Sequence, residues 1–298
     1  IIFIYIINNQ MAELKDFENF IKDKSANTIK SYKQQYNKLK KIVDTEMEQT
    51  IDIQNISEKN ILEFVSNENN LNSQQALLNI AILIRKMQKP PQPITKLEKQ
   101  REENKSKLQG FVKEKNEKLK SNGLPTYQDL LDYLAFLYNS ERWTDFIINY
   151  LLIYFNTRNM DLNFELVPFK RDIKANPDIN YLWYSKRAKK ATLYRRDYKT
   201  VGKYGMKQNI ITDPKFLNAI KQIFECRKKG EGCGVFIPNK ENVGYYIQKA
   251  TLDNLGEGTY VKIIINHFRN NLDKLSEISK NRGTSLEILK ESYDIDTK

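Results

Sequence analysis

Residues 96–120, KLEKQREENKSKLQGFVKEKNEKLK, are almost continuous in lysine, glutamate, glutamine and asparagine, with sparse apolar positions. A stretch so polar has no broad face to bury, so it reads as a solvent-exposed linker helix or a partly mobile arm. KPPQP at 89–93 stands just before it, and its prolines remove backbone donors and favour an extended connector. The chain is therefore expected to build its cores on either side of this region. The reading is an N-terminal extension over 1–15, a helical domain over 16–88, a linker over 89–120 and a second domain over 121–298.

Each flank has the apolar content for a core. Across all 298 residues 40% are hydrophobic, which excludes wholesale disorder. In DFENFIKDKSANTIKSYKQQYNKLKKIV, Phe17, Phe20 and Ile21 share a face, and Ile29, Tyr32, Tyr36, Leu39 and Val43 recur at spacings of three and four. Ser25 or Asn27 can cap the second helix, Ser57 opens a third over SEKNILEFVSNE, and Ser73 a fourth over SQQALLNIAILIRKMQ. Beyond Pro125 a strongly apolar helical region runs to FELV, with a break near Asn139–Glu141. INYLWYSK, ATLYRRDYKTV and MKQNIIT then alternate aromatic and β-branched residues between basic turns, which predicts a small antiparallel sheet. DPKFLNAIKQIFECRK returns to helical spacing, GVFIPN and YYIQKA interrupt it, and helices resume from about Gly258 to Ile288. The expected class is mainly α with a small antiparallel β-sheet.

Charge narrows the partners. Lys and Arg total 49 against 37 Asp and Glu, a formal charge of +12, which favours a polyanion, nucleic acid first and an acidic membrane surface second. IIFIYII at the start is seven residues long, far short of the roughly 20 needed to span a bilayer, and lacks a basic leading region. Met11 opens MAELKDF, a more ordinary protein start, leaving 1–10 as an upstream extension or an added edge element. Cys226 and Cys233 in ECRKKGEGC make no disulfide framework and too few ligands for four-coordinate zinc, so unlinked thiols are expected.

The order of these features, with SANTIKSYKQQYNKL, YLLIYFNTRNMDLNFELV and ISKNRGTSLEILKESYDI, resembles the tyrosine recombinase or phage integrase family over about residues 16–295. The resemblance implies an N-terminal core-binding domain joined to a catalytic domain. Arg158 stands where the family carries its first catalytic arginine, with Asp161 three positions on to hold the guanidinium. Such a fork suits two nonbridging phosphate oxygens. Lys199, in YKT, or Lys203 matches the hairpin lysine that donates a proton to the departing 5′ oxygen. Gly283 matches the glycine of the family's leucine–glycine–histidine turn, Thr284 stands at the histidine, and Tyr293, nine residues later, at the nucleophile.

The family's histidine–x–x–arginine element falls on Thr259 and Lys262. Arg269, with Asn266, is the rival placement but lies only fifteen residues before Thr284. His267, the sole histidine, reads as an ordinary polar helix residue. The implied activity is strand cleavage and joining on double-stranded DNA through a 3′-phosphotyrosine, by a recombinase or integrase of a virus or mobile element. It would act as a dimer or tetramer and at intracellular DNA, in a host nucleus or at a viral replication site. Transesterification preserves the phosphodiester energy, so no cofactor and no metal are called for. A type IB topoisomerase-like enzyme and a catalytically impaired DNA-binding protein on the same scaffold are the alternatives.

Overall fold

The computed structural model describes residues 13–48, 52–121, 123–175, 178–227, 236–237 and 242–294. The opening IIFIYII, Met11 and Cys233 lie outside them; Cys226 is an exposed free thiol. The chain divides into two compact units, Ile1–Asn116 and Glu117–Lys298. Among the described residues no helix is long and apolar enough to cross a membrane.

The first unit is helical. α1 (residues 13–20), α2 (Ala26–Glu46), α3 (Glu58–Ser66) and α4 (Leu71–Met87) converge on one apolar cluster. Phe17, Tyr36, Leu39 and Val43 are buried in it, and the Phe17 and Tyr36 rings stack with centroids 4.9 Å apart. Ser25 and Ser57 cap α2 and α3 through their side chains, as their positions predict. α4 begins earlier than expected: Asn70 accepts from the amides of Asn72 and Ser73, so Ser73 lies inside the first turn. Buried Arg85 donates to the carbonyls of Ile56 and Pro93, both at 2.7 Å, and so pins the proline-rich stretch to the bundle. α5 (Thr95–Ser121) is the polar run, wholly helical, and the division between the units falls within it. It is more than a solvated spacer at its start, where Leu97 is fully buried in the first core.

The second unit is built around α7 (Trp143–Phe155), which is buried on nearly every side. α6 (Tyr127–Asn139), capped by the reciprocal Thr126–Asp129 box, packs on it, as do α9 (Pro214–Arg227), α10 (Val243–Ala250) and α11 (Glu257–His267). Asn149 at the centre of α7 donates to the carbonyls of Asp145 and Ala250, and accepts from the Tyr260 hydroxyl at 2.6 Å. Burial raises the Tyr260 phenol's pKa well above its ordinary value, so it stays a neutral donor. α12 (Leu272–Arg282) and α13 (Leu286–Tyr293) complete the helices.

The sheet is β1 (Phe164–Val167), β2 (Asn180–Ser185), β3 (Lys190–Arg195) and β4 (Lys207–Ile211), hydrogen-bonded in that order. It is mixed, not purely antiparallel: β1 runs parallel to β2, with Phe164 opposite Asn180, while β2–β3 and β3–β4 are antiparallel. FELV was expected to close the apolar helical region. Instead Asn156 takes the left-handed conformation at φ 50° and ends α7, freeing 164–167 to pair in the sheet. YYIQKA was expected to interrupt the helices, yet it lies within α10. Val243, Ile247 and Ala250 are buried there at positions i, i+4 and i+7, a helical face that aromatic content masks. α8 (Val201–Tyr204) is one turn between β3 and β4.

Candidate active site

Five chain segments meet around the C-terminal end of α12. The first leaves α7 through Asn156 and Thr157 to Arg158, whose extended backbone enters a short 3-10 turn, Asn159–Leu162. Asp161 in that turn is fully buried. Its Oδ2 accepts from the backbone amide of Arg158 at 2.7 Å and from Nη2 of Arg195 at 2.6 Å. The carboxylate thus fixes the Arg158 backbone and pairs with a different guanidinium from the one expected. Arg158 Nη1 is buried with no hydrogen-bond partner. Burial first, and the like charge of Arg282 next, draw the Arg158 pKa below its ordinary value. Asp161, Tyr293 and Glu257 pull it the other way.

The second segment is the sheet. Arg195 follows Ala191 and Leu193 on one face of β3, and its Nη1 donates to the carbonyl of Asn281 at 2.7 Å. Directly opposite in the ladder stands Lys207. Two cations face to face on neighbouring strands repel, and the arrangement needs compensating acceptors. Asp161 supplies one, and the carbonyl end of α12 supplies others: Lys207 Nζ donates to Lys280 O and reaches Asn281 O at 3.4 Å. Burial, then the charges of Arg195 and Arg158, lower the Lys207 pKa to about 8, against the opposing pull of Asp161.

The third segment is the turn after α12. Gly283 caps the helix at φ 60°, and a Cβ there would lie 2.6 Å from Thr200 Oγ1 and 3.1 Å from Lys207 Nζ. Thr200 Oγ1 donates to the Gly283 carbonyl at 2.8 Å, which locks the β3–β4 connection against the turn. Arg282, one residue earlier and 1% exposed, is the fourth cation. Its Nη1 donates to Asn156 O at 3.2 Å, and its Nη2 to Glu257 Oε1 at 2.5 Å and to the Tyr293 hydroxyl at 3.0 Å. Its Cζ also lies 4.9 Å from the centre of the Tyr293 ring. The fourth segment, α13, carries Tyr293 on its last turn, capped at its start by Ser285, and the fifth is the first turn of α11, which supplies Glu257.

Of the residues expected from sequence, Arg158, Asp161, Gly283 and Tyr293 belong to this cluster. Thr284 sits in the turn, where its amide bonds Ser279 O and its carbonyl accepts from the Ser279 hydroxyl at 2.7 Å. Lys199 and Lys203 are exposed on the connection, with Lys203 Nζ 5.3 Å from the Tyr204 ring centre. Lys262 is half-exposed further along α11, and Arg269 is exposed just beyond it. His267 stacks on Tyr127 at 4.5 Å, the contact of a structural side chain.

Four members escaped the sequence reading: Arg195, Lys207, Glu257 and Arg282. Arg195 had a usable signal, since it continues the buried Ala191–Leu193 alternation. Arg282 had a weaker one, directly before the matched glycine. No family model matches this chain, and neither the curated proteins nor the solved structures contain a match.

Proposed function

We propose that this protein cleaves and rejoins double-stranded DNA through a covalent 3′-phosphotyrosine on Tyr293, as a recombinase or integrase that assembles in more than one copy on DNA. The observation that carries the reading is the Tyr293 hydroxyl held 3.0 Å from a buried arginine, with a second arginine beside it whose Nη1 is unpartnered. A phenol is a weak nucleophile until cations favour phenolate character and orient the phosphorus for attack. Around it Arg158, Arg195, Lys207 and Arg282 gather, and the carboxylates that ion-pair with them among the described residues are Asp161 and Glu257. The two buried arginines have carboxylate partners, and the half-buried Arg158 and Lys207 leave positive charge facing outward that suits an anion; a phosphodiester is the one a +12 protein meets on nucleic acid.

In the proposed reaction the Tyr293 oxygen bonds to phosphorus and gives its proton to water. The bond to the 5′ oxygen breaks, and that oxygen takes a proton from the Lys207 ammonium. Arg158 and Arg282 stabilise the charge gathering on the nonbridging oxygens. Attack by a 5′ hydroxyl of another strand reverses these steps.

The test is to select bound duplexes from a randomised pool, build nicked substrates from them and measure denaturant-resistant adducts in single turnover. Arg158→Lys should retain most DNA affinity while slowing adduct formation about 10²-fold, since charge survives and the fork does not. Equal losses of binding and cleavage would make Arg158 a docking residue, and no adduct from wild type on any selected duplex would reject the reading.

The Lys207 assignment gives a separate expectation. A pKa near 8 keeps the ammonium protonated at neutral pH, so adduct formation should decline as pH rises through about 8. Lys207→Ala should slow cleavage of ordinary DNA but not of DNA with sulfur as the bridging 5′ leaving atom, which departs without a proton. Equal slowing on both substrates would assign Lys207 to structure alone.

A further inference from the structure

The Arg282 guanidinium is held unevenly. Its Nε is buried with no partner, and its Nη1 meets only a backbone carbonyl, at 3.2 Å. The one charged partner among its hydrogen bonds is Glu257, in the first turn of α11 and itself mostly buried. The nitrogen that meets Glu257 is also the nitrogen that meets the Tyr293 hydroxyl. All of these bonds have an ionised donor, but only the one to Glu257 also has an ionised acceptor, and that 2.5 Å ion pair decides where Nη2 lies.

We infer that Glu257 is a positioning residue: it fixes the guanidinium plane of Arg282 so that Nη2 is presented to the nucleophilic oxygen of Tyr293. The inference rests on the phosphotyrosine reading for its consequence, but the geometric part stands independently of DNA. Neutralising Glu257 removes the strongest hold on Arg282, while Asn156 O and the phenol remain. The guanidinium then turns about its Cδ–Nε and Nε–Cζ bonds, and an alignment lost by about 1 Å costs on the order of 10²-fold in rate. Glu257 touches neither DNA phosphate nor the reacting oxygen in this scheme, and its neutralisation removes a negative charge, so DNA affinity should not fall.

The experiment compares full-length wild type, Glu257→Gln and Glu257→Asp by two readouts. The first is the Nη–H spectrum of Arg282 in protein labelled with 15N-arginine, assigned by Arg282→Lys, with no DNA present. Wild type should give separate Nη signals, Glu257→Gln a merged signal, and Glu257→Asp an intermediate pattern. The second is single-turnover adduct formation on selected duplexes, with binding measured separately. Glu257→Gln should lose about 10²-fold in adduct rate with no loss of affinity, and Glu257→Asp should recover part of the rate.

If Glu257→Gln fails to fold, Glu257→Asp alone gives both readouts, with partial averaging and partial rate loss expected. Unchanged Nη signals, or signals that merge while the adduct rate stays within about twofold of wild type, would overturn the inference. Wild type that forms no adduct would bring down the phosphotyrosine reading instead. The arginine spectra would still decide between Glu257 holding Arg282, if they merge, and not holding it, if they do not.

Discussion

Tyr293→Phe is expected to abolish denaturant-resistant protein–DNA adducts, a loss of at least about 10⁴-fold in single turnover, while the fold and noncovalent DNA binding persist. The substitution deletes one oxygen and keeps the ring, so the packing of α13 on the second core is preserved. Arg282 loses its 3.0 Å contact to that oxygen but retains Glu257 Oε1 and Asn156 O, so no buried charge is stranded. The change in stability should therefore stay within about 1 kcal/mol. Mass spectrometry of a wild-type adduct should place the phosphate on the peptide carrying Tyr293. Adducts of normal yield from the phenylalanine protein, or a linkage on another tyrosine, would end the assignment.

The second large effect is structural. Asp161→Ala should destabilise the protein by about 3–5 kcal/mol, because Arg195 is then left buried with its charge unpaired and the Arg158 amide loses its acceptor. For a unit of this size that corresponds to a fall in melting temperature of about 6–20 °C. Adding Arg195→Leu to the same protein removes the stranded charge and should recover most of the loss, since a buried ion pair is often replaceable by apolar residues. Thermal unfolding of the single and double variants checks both statements. A single variant that melts within 2 °C of wild type would mean the Arg195–Asp161 pair adds little. The expectation separates two roles for one carboxylate, since a partner of the Arg158 side chain would show no rescue through Arg195.

Most of the helical architecture could be read along the chain because its signals are local. Ser25 and Ser57 cap where hydroxyls precede apolar periodicity, and the break between α6 and α7 falls at the polar Asn139–Glu141 stretch. The β1 strand was missed because FELV continues the apolar character of α7, and its pairing partner lies sixteen positions on, from Phe164 to Asn180. The site was legible only where a single residue could be anchored to a local pattern, as with Arg158 at a helix end and Tyr293 after a glycine turn. Lys207 is defined by a ladder partner, Arg195, and by carbonyls of α12, and none of these is near it in sequence. Glu257 and Arg282 are 25 residues apart and meet only because the chain brings the start of α11 to the end of α12. A lysine-rich chain offers many plausible cations, and tertiary placement alone distinguishes the buried Arg195 and Arg282 and the half-buried Arg158 and Lys207 that gather with them.

The turn at Gly283 has a bearing on how this arrangement travels between lineages. A methyl group at that position would press on Thr200 Oγ1 at 2.6 Å in a backbone conformation that already disfavours side chains. Any drift away from glycine would push apart the turn and the β3–β4 connection at once, unsettling arginine and lysine together. Descendants that keep the centre are therefore confined to a narrow path there, however freely their lysine-rich surfaces diverge. Kinship is best sought in a short signature: an arginine, the glycine after it, and a tyrosine ten places beyond that glycine.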